Sequence, residues 1–212
     1  MSPQIDVSAK MQDIDFIQDY YLQSRLCLES RKNSVLAALG NNKNEDALVA
    51  IGLETVRFAS PDELRIFFDD LISELENLVK LDLLSVTEGH IRYDFATRIN
   101  NNNQDPITST FITLLSNSRH GAGGVSFGQI LSAWVDRYPG NTDLCNKVNT
   151  YKTILDLRNW LAHGRWWNLS SGLPVHTVED IHQISNDVLQ AMGLTQHFPR
   201  QSTPMSPPTT EG

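Results

Sequence analysis

One stretch of the sequence combines residue types that could act on a phosphate group: 155-LDLRNWLAHGRWW-167. Arg158 is followed five positions later by His163, and three of the chain's four tryptophans lie in the same stretch. An arginine can bind two phosphate oxygens at once, and a histidine can transfer a proton near neutral pH. The stretch therefore predicts a site for phosphate chemistry. The alternative is that these side chains belong to an ordinary core or interface.

The apolar pattern predicts a long helix that carries both residues. Thr142 can cap a helix that runs through Ala162, and Gly164 is a natural stop after it. Arg158 interrupts the core-facing stripe of this helix, where a charge must be paired or line a cleft. His163 diverges from Arg158 by about 140° on an ideal helix, and the helix dipole favours its protonated form. The stripe consists of Leu144, Val148, Tyr151, Leu155, Arg158 and Ala162.

Glu88 is a second charged residue at a position predicted to face the core. The helix predicted from Leu83 to Ile99 has a stripe of Leu84, Glu88, Ile91, Phe95 and Ile99. We expect the Glu88 carboxylate to meet Arg158, because each charge would otherwise be unpaired on a buried face. The alternative is a local pair between Glu88 and Arg92, four residues apart on an exposed face.

The rest of the sequence predicts further helices and no strand. Capping boxes, in which a hydroxyl residue and the residue three positions later bond each other's backbone, are expected at Ser60, Ser126 and Thr177. The fold class is therefore all-α, with roughly seven to nine helices. The other predicted helices cover residues 14 to about 39, a segment capped by Asn44, 61 to about 80, 106 to about 115, 127–137 and 178–192. The segment 117-NSRHGAGG-124 is predicted to be a loop.

The amino-acid composition limits the partners that the protein can bind and the cellular compartment in which we expect it. The 212 residues include 25 acidic and 17 basic side chains, so a net charge of −8 argues against sequence-blind binding to nucleic acid. A local basic pocket remains compatible with that balance. Cys27 and Cys145 are too few for a disulfide framework and lack metal-like spacing, so we predict neither a metal nor a cofactor. No signal peptide and no membrane span are predicted, and the cytoplasm is the expected compartment.

The segment from Arg158 to His163, RNWLAH, resembles the R-x4-H signature of HEPN domains. Glu88, Arg92 and Asp94 are similar to an earlier E-x3-R-x-D stretch of some prokaryotic members. The resemblance covers about residues 60–193. Residues 1–59 are then interpreted as an N-terminal helical extension packed on this domain, and residues 194–212, which are rich in proline, as a disordered tail.

The resemblance implies an all-α helical bundle of HEPN type that acts as a metal-independent endoribonuclease in a toxin or phage-defence system. His163 would assist proton transfer while the 2′-hydroxyl of RNA attacks the adjacent phosphate. Arg158 would neutralise the growing charge, Asn159 would orient the phosphate or the imidazole, and Glu88 and Arg92 would support them. An antitoxin or another defence protein would be a partner. The alternative is a catalytically inactive member that binds a nucleotide, RNA or a protein.

Two further expectations concern RNA binding and assembly. Arg165, Trp166 and Trp167 could stack on exposed bases, or the two indoles could pack against the last helix. Some HEPN toxins carry a modified tyrosine where this chain has Arg165, so that modification is not implied. Because Arg158 and His163 diverge on one helix, we predict a symmetric homodimer in which two copies form one cleft. The competing arrangement is a monomer whose own first helices cover this face.

Overall fold

The structure is a computed structural model that describes residues 5, 12–41, 59–163 and 175–194. Within these ranges the chain is helical and forms no strand, which confirms the all-α class for this part. The segment predicted after Asn44 and the predicted tail beyond Leu194 lie outside the described residues. The helices are α1 Ile14–Asn41, α2 Pro61–Asn100, α3 Pro106–Asn117, α4 Phe127–Arg137, α5 Thr142–Thr153, α6 Leu155–Ala162 and α7 Val178–Ala191, with a 3-10 turn at Gly121–Gly124 in the predicted loop.

Side-chain caps start the helices where the sequence predicted them. The capping boxes at Ser60, Ser126 and Thr177 are confirmed, each with both reciprocal bonds to the backbone. The cap of α5 differs from the prediction by one residue. Asn141 rather than Thr142 is the N-cap, because the Asn141 Oδ1 accepts a hydrogen bond from the Leu144 N–H at 3.1 Å.

The two helices predicted on either side of Lys80 are one continuous helix, α2, of 40 residues. The prediction of a break there was wrong. No proline or glycine interrupts this region, and the buried positions continue through Val79, Leu83 and Leu84 on the side that faces the core.

The helix predicted from Thr142 through Ala162 is instead interrupted at Ile154, which ends α5 and begins α6. The interruption shifts the buried positions, so Ile154 and Leu161 are buried whereas Leu155 is only half-buried and Ala162 is exposed. The interruption places the Ile154 side chain in the core, and the burial of this apolar side chain stabilises it.

The long helix α2 lies at the centre of the packing. It contacts α1, α3, α4, α6 and α7, and α1 runs antiparallel to it, with Tyr21 beside Glu76 and Lys32 beside Asp69. Most buried side chains form one main core, and a smaller second core contains Val35, Leu64 and Phe68. The main core thus lies against the part of α2 that carries Glu88.

Candidate functional site

The Glu88 carboxylate binds two arginines from two different helices. Its Oε1 lies 2.7 Å from Nε of Arg92, one helical turn later on α2. Its Oε2 lies 3.2 Å from Nη2 of Arg158 on α6. The predicted meeting of Glu88 with Arg158 is confirmed, and the local pair with Arg92 is present as well. We call these three side chains the Glu88 cluster.

The cluster is partly shielded from solvent. The side chain of Glu88 is 15 % exposed, against 32 % for Arg158 and 39 % for Arg92. Glu88 is therefore the most buried of the three side chains.

Arg92 is also tied to the start of α4. Its Nη1 donates a hydrogen bond to the Val125 carbonyl at 3.3 Å, and its guanidinium carbon lies 5.4 Å from the centre of the Phe127 ring. A cation over an aromatic face is attracted to the negative side of the ring. These contacts fix the position of Arg92 beside the Glu88 carboxylate.

Arg158 retains hydrogen-bonding capacity. Its Nη1 donates to Oδ1 of the neighbouring Asn159 at 3.3 Å, and its Nη2 is on Glu88. Its Nε is buried and has no hydrogen-bond partner among the residues that the structure describes.

Tyr151 lies beneath the cluster, a role that sequence reasoning missed because it treated this residue only as part of an apolar stripe. Its hydroxyl donates to the Leu84 carbonyl at 3.1 Å, and its ring packs edge-on against Phe127. Burial raises the pKa of the Tyr151 phenol, and the nearby Glu88 carboxylate raises it further. The phenol therefore stays protonated near neutral pH and acts as a fixed hydrogen-bond donor rather than as a base.

His163 lies at the C-terminal end of α6, where its backbone N–H still donates to the Asn159 carbonyl at 3.1 Å. On a regular helix the five positions from Arg158 to His163 correspond to a rotation of about 140°. His163 and Asn159 are exposed, whereas Trp160 is half-buried. The structure therefore brings Glu88, Arg92, Arg158 and Asn159 together, and the side chain of His163 is exposed.

Three predicted contacts to RNA fall outside the described residues. Arg165, Trp166 and Trp167 belong to the gap between residues 163 and 175. Their predicted roles stay predictions. Across the described ranges no group of three or more His, Cys, Asp or Glu side chains could hold a metal ion. The helices in those ranges also include none with the length and apolar character needed to cross a membrane.

The chain was compared with protein-family models, with curated proteins and with solved structures, and none of the three comparisons gave a match.

Proposed function

We propose that this protein is a metal-independent endoribonuclease that uses Arg158 and His163. The proposal is supported by the Glu88 cluster, which holds the arginine of the RNWLAH segment in a defined position at the surface. An arginine that only covers the surface needs no buried carboxylate behind it. An arginine that must bind a phosphate repeatedly in one geometry benefits from such support.

The charge balance of the cluster leaves room for an anion. One carboxylate faces two guanidinium groups, so the three side chains carry one net positive charge. That surplus is local, because the chain as a whole carries −8. A cluster of this kind attracts a single phosphate group without favouring nucleic acid over the entire surface.

In the proposed reaction the 2′-oxygen of a ribose forms a bond to the adjacent phosphorus, and the bond to the 5′-oxygen of the next nucleotide breaks. His163 accepts the 2′-proton, and a water molecule protonates the departing 5′-oxygen and regains its proton from the imidazolium of His163. Arg158 offsets the negative charge that grows on the phosphorus oxygens, where a fixed cation lowers the barrier most. The products are a 2′,3′-cyclic phosphate end and a 5′-hydroxyl end.

The RNA cleavage assay tests the proposal directly. End-labelled single-stranded RNA is incubated with the full chain in EDTA, and the ends of the fragments are identified. We expect cleavage by the unmodified chain in the presence of the chelator. Activity that disappears in EDTA and returns with magnesium would contradict the proposed mechanism.

Matched variants separate the site from general charge effects. Arg158→Ala and His163→Ala are expected to lower the rate by at least about a hundredfold, as removal of an acid–base group or of a positioned charge usually does. Arg65→Ala and His120→Ala serve as controls, because both residues are exposed and lie outside the Glu88 cluster. Equal losses in the controls would show that the effect is not specific.

A second candidate function is a binding module without catalysis. It is favoured by large exposed apolar side chains on α1 and α2, the kind of surface that contacts a partner protein. In that case the Glu88 cluster would be a structural ion-pair network, and RNA would remain intact in every assay above. The exposed side chains are Phe16, Tyr20, Leu22 and Leu26 on α1 and Ile66, Leu71 and Leu78 on α2.

A further inference from the structure

Helices α3, α4 and α5 border an open groove with a volume of about 600 Å³. The side of α4 that faces it carries Gly128, Ser132 and Asp136 at intervals of four residues, and Lys152 of α5 also lines it. Ligand pockets in proteins commonly have volumes of about 300–1,000 Å³, so the groove can hold a small molecule. The described lining contains no residue of the Glu88 cluster, which makes the groove a second candidate site.

Lys152 brings a half-buried positive charge to the groove. Its Nζ donates a hydrogen bond to Oγ of Ser132 at 2.9 Å, and it forms no ion pair with a described residue. An ammonium group has three N–H donors, so the neutral hydroxyl satisfies one of them and leaves the charge unbalanced. An anionic group in the groove would supply the missing partner.

Asp136 brings a negative charge to the same groove. It is exposed, and it forms no ion pair with a described residue either. Lys152 and Asp136 are the charged residues of the described lining, which is therefore neutral in sum. A simple anion attracted by Lys152 would be repelled by Asp136, whereas a ligand with one charge of each sign can satisfy both.

The spacing of the two charges limits the ligand. Ser132, which binds Lys152, and Asp136 are four residues apart on α4, or about 6 Å along the helix axis. The two ends of an extended dipeptide are separated by up to about 7 Å. A free dipeptide carries an ammonium at one end and a carboxylate at the other, so both its length and its charges match the groove.

Gly128 leaves room in the groove next to the backbone of α4. A Cβ placed on this residue would meet no atom within 4 Å. Glycine is less favourable than alanine inside a helix, and here no packing contact requires it. The open space at Gly128, together with the apolar side chains of Leu114 and Ala133 in the described lining, can accommodate an apolar side chain of the ligand.

We propose that this groove binds a short zwitterionic peptide of about two residues. Its terminal carboxylate contacts Lys152, its terminal ammonium lies near Asp136, and the side chain of its last residue lies over Gly128. Capture of peptide ends by groups of opposite charge is a known mode of peptide recognition. The inference does not depend on the proposed ribonuclease activity.

Titration of the full chain with alanyl-leucine tests the inference, with heat or ligand-observed NMR as the readout. The N-acetyl derivative of this dipeptide lacks the ammonium, and its C-terminal amide lacks the carboxylate. We expect saturable binding of the free dipeptide, with affinity lower by about two- to fivefold for the N-acetyl form and by about tenfold or more for the amide. Absence of saturable binding, or removal of either terminal charge without loss of affinity, would overturn the proposal.

Two charge variants assign the ends of the peptide. In Lys152→Met the free dipeptide and its amide should bind equally, because the partner of the carboxylate is gone. In Asp136→Asn the free and N-acetyl forms should bind equally for the corresponding reason. Lys147→Met is the matched control on α5 and should keep the unmodified affinity, because Lys147 pairs with Asp143 and is not in the described lining. A Lys152→Met variant that still prefers the free dipeptide over its amide would contradict the proposal.

Gly128→Leu fills the groove and should lower the affinity for alanyl-leucine by at least about fivefold. A melting curve and a helical circular-dichroism spectrum like those of the unmodified chain would show that this variant is folded. Gly140→Leu, in the turn before α5, is the control, because a Cβ there also meets no atom within 4 Å and the residue is not in the described lining. Undiminished binding in a folded Gly128→Leu variant would place the peptide elsewhere and overturn the proposal. Arg158→Ala should bind the dipeptide normally, which separates this site from the Glu88 cluster.

Discussion

The Glu88 carboxylate connects Arg92 on its own helix with Arg158 on α6. The sequence reveals Glu88 and Arg158 because each interrupts an apolar stripe with a charge. It cannot decide whether Glu88 bonds the local or the distant arginine, since that depends on how closely α2 and α6 pack. The structure shows that one carboxylate oxygen of Glu88 contacts Arg92 and the other contacts Arg158.

Glu88→Gln should destabilise the protein by leaving the two guanidinium groups without their counter-charge. Because both arginines keep about a third of their surface exposed, we expect a loss of ~1–3 kcal/mol, below the ~3–5 kcal/mol of a fully buried pair. Urea unfolding measures the loss. Glu29→Gln is the control, because the exposed Glu29 pairs with Arg25 within α1 and should contribute less than ~0.5 kcal/mol. Similar losses in the two variants would show that the Glu88 cluster is an ordinary surface network.

His90 should make the stability depend on pH. Its pKa in the folded chain is lowered, mainly by burial, from an ordinary value of 6.5. The folded state therefore binds fewer protons than the unfolded state, and the contribution of His90 is fully present above pH 6.5. It is lost as the pH falls from 6.5 towards the lower folded pKa.

The free energy of unfolding, measured by urea at about pH 7.5 and about pH 5.5, tests this dependence. We expect a smaller difference between the two pH values in His90→Gln than in the unmodified chain. His120→Gln, at an exposed position, should leave the difference unchanged. A pH dependence that is the same in His90→Gln would exclude the buried imidazole as its source.

At the scale of helices, local sequence signals predicted where a helix starts better than they predicted whether it continues without a break. Three helix starts could be predicted because a capping side chain there accepts a hydrogen bond from the backbone N–H three residues later. These capping residues are Ser60, Ser126 and Thr177. The unbroken course of α2 through Lys80 and the interruption at Ile154 carry no comparable signal. Both depend on which side chains the rest of the fold buries, and the local sequence does not determine that.

Ser126 links the start of α4 to the Glu88 cluster, because the preceding residue, Val125, accepts the hydrogen bond from Arg92. Ser126→Ala should cost about 1 kcal/mol in unfolding free energy, the usual value of an N-cap. We also expect faster exchange of the amide hydrogens in the first turn of α4. Ser116→Ala, near the end of α3, should change the stability by less than ~0.5 kcal/mol, because that exposed hydroxyl bonds only the Thr113 carbonyl. Equal effects of the two substitutions would argue against a capping role for Ser126.

At the scale of the whole molecule, the rotation of about 140° that a regular helix places between Arg158 and His163 favours a site shared by two copies. We expect a dimer in sedimentation at micromolar concentration, with the arginine of one copy near the histidine of the other. If the protein cleaves RNA as proposed, mixing Arg158→Ala with His163→Ala should restore part of the activity that each variant lacks. A mixed dimer would contain one intact arginine and one intact histidine across the interface.

Two results would contradict the shared site. A fully active species with the mass of one chain would show that a single copy suffices. Mixed variants that form dimers but stay inactive would show that each copy uses its own arginine and histidine.

The two hydrophobic clusters along α2 divide one continuous helix into parts with different protection from solvent. The first part is held by the small core of Val35, Leu64 and Phe68, whereas the part from Val79 onward lies against the main core. Local opening should therefore require less free energy near the N-terminal end of α2 than around Leu84 and Ile91. In hydrogen-exchange experiments this helix would behave as two kinetic segments, with a fast end that faces α1 and a slow end that carries Glu88.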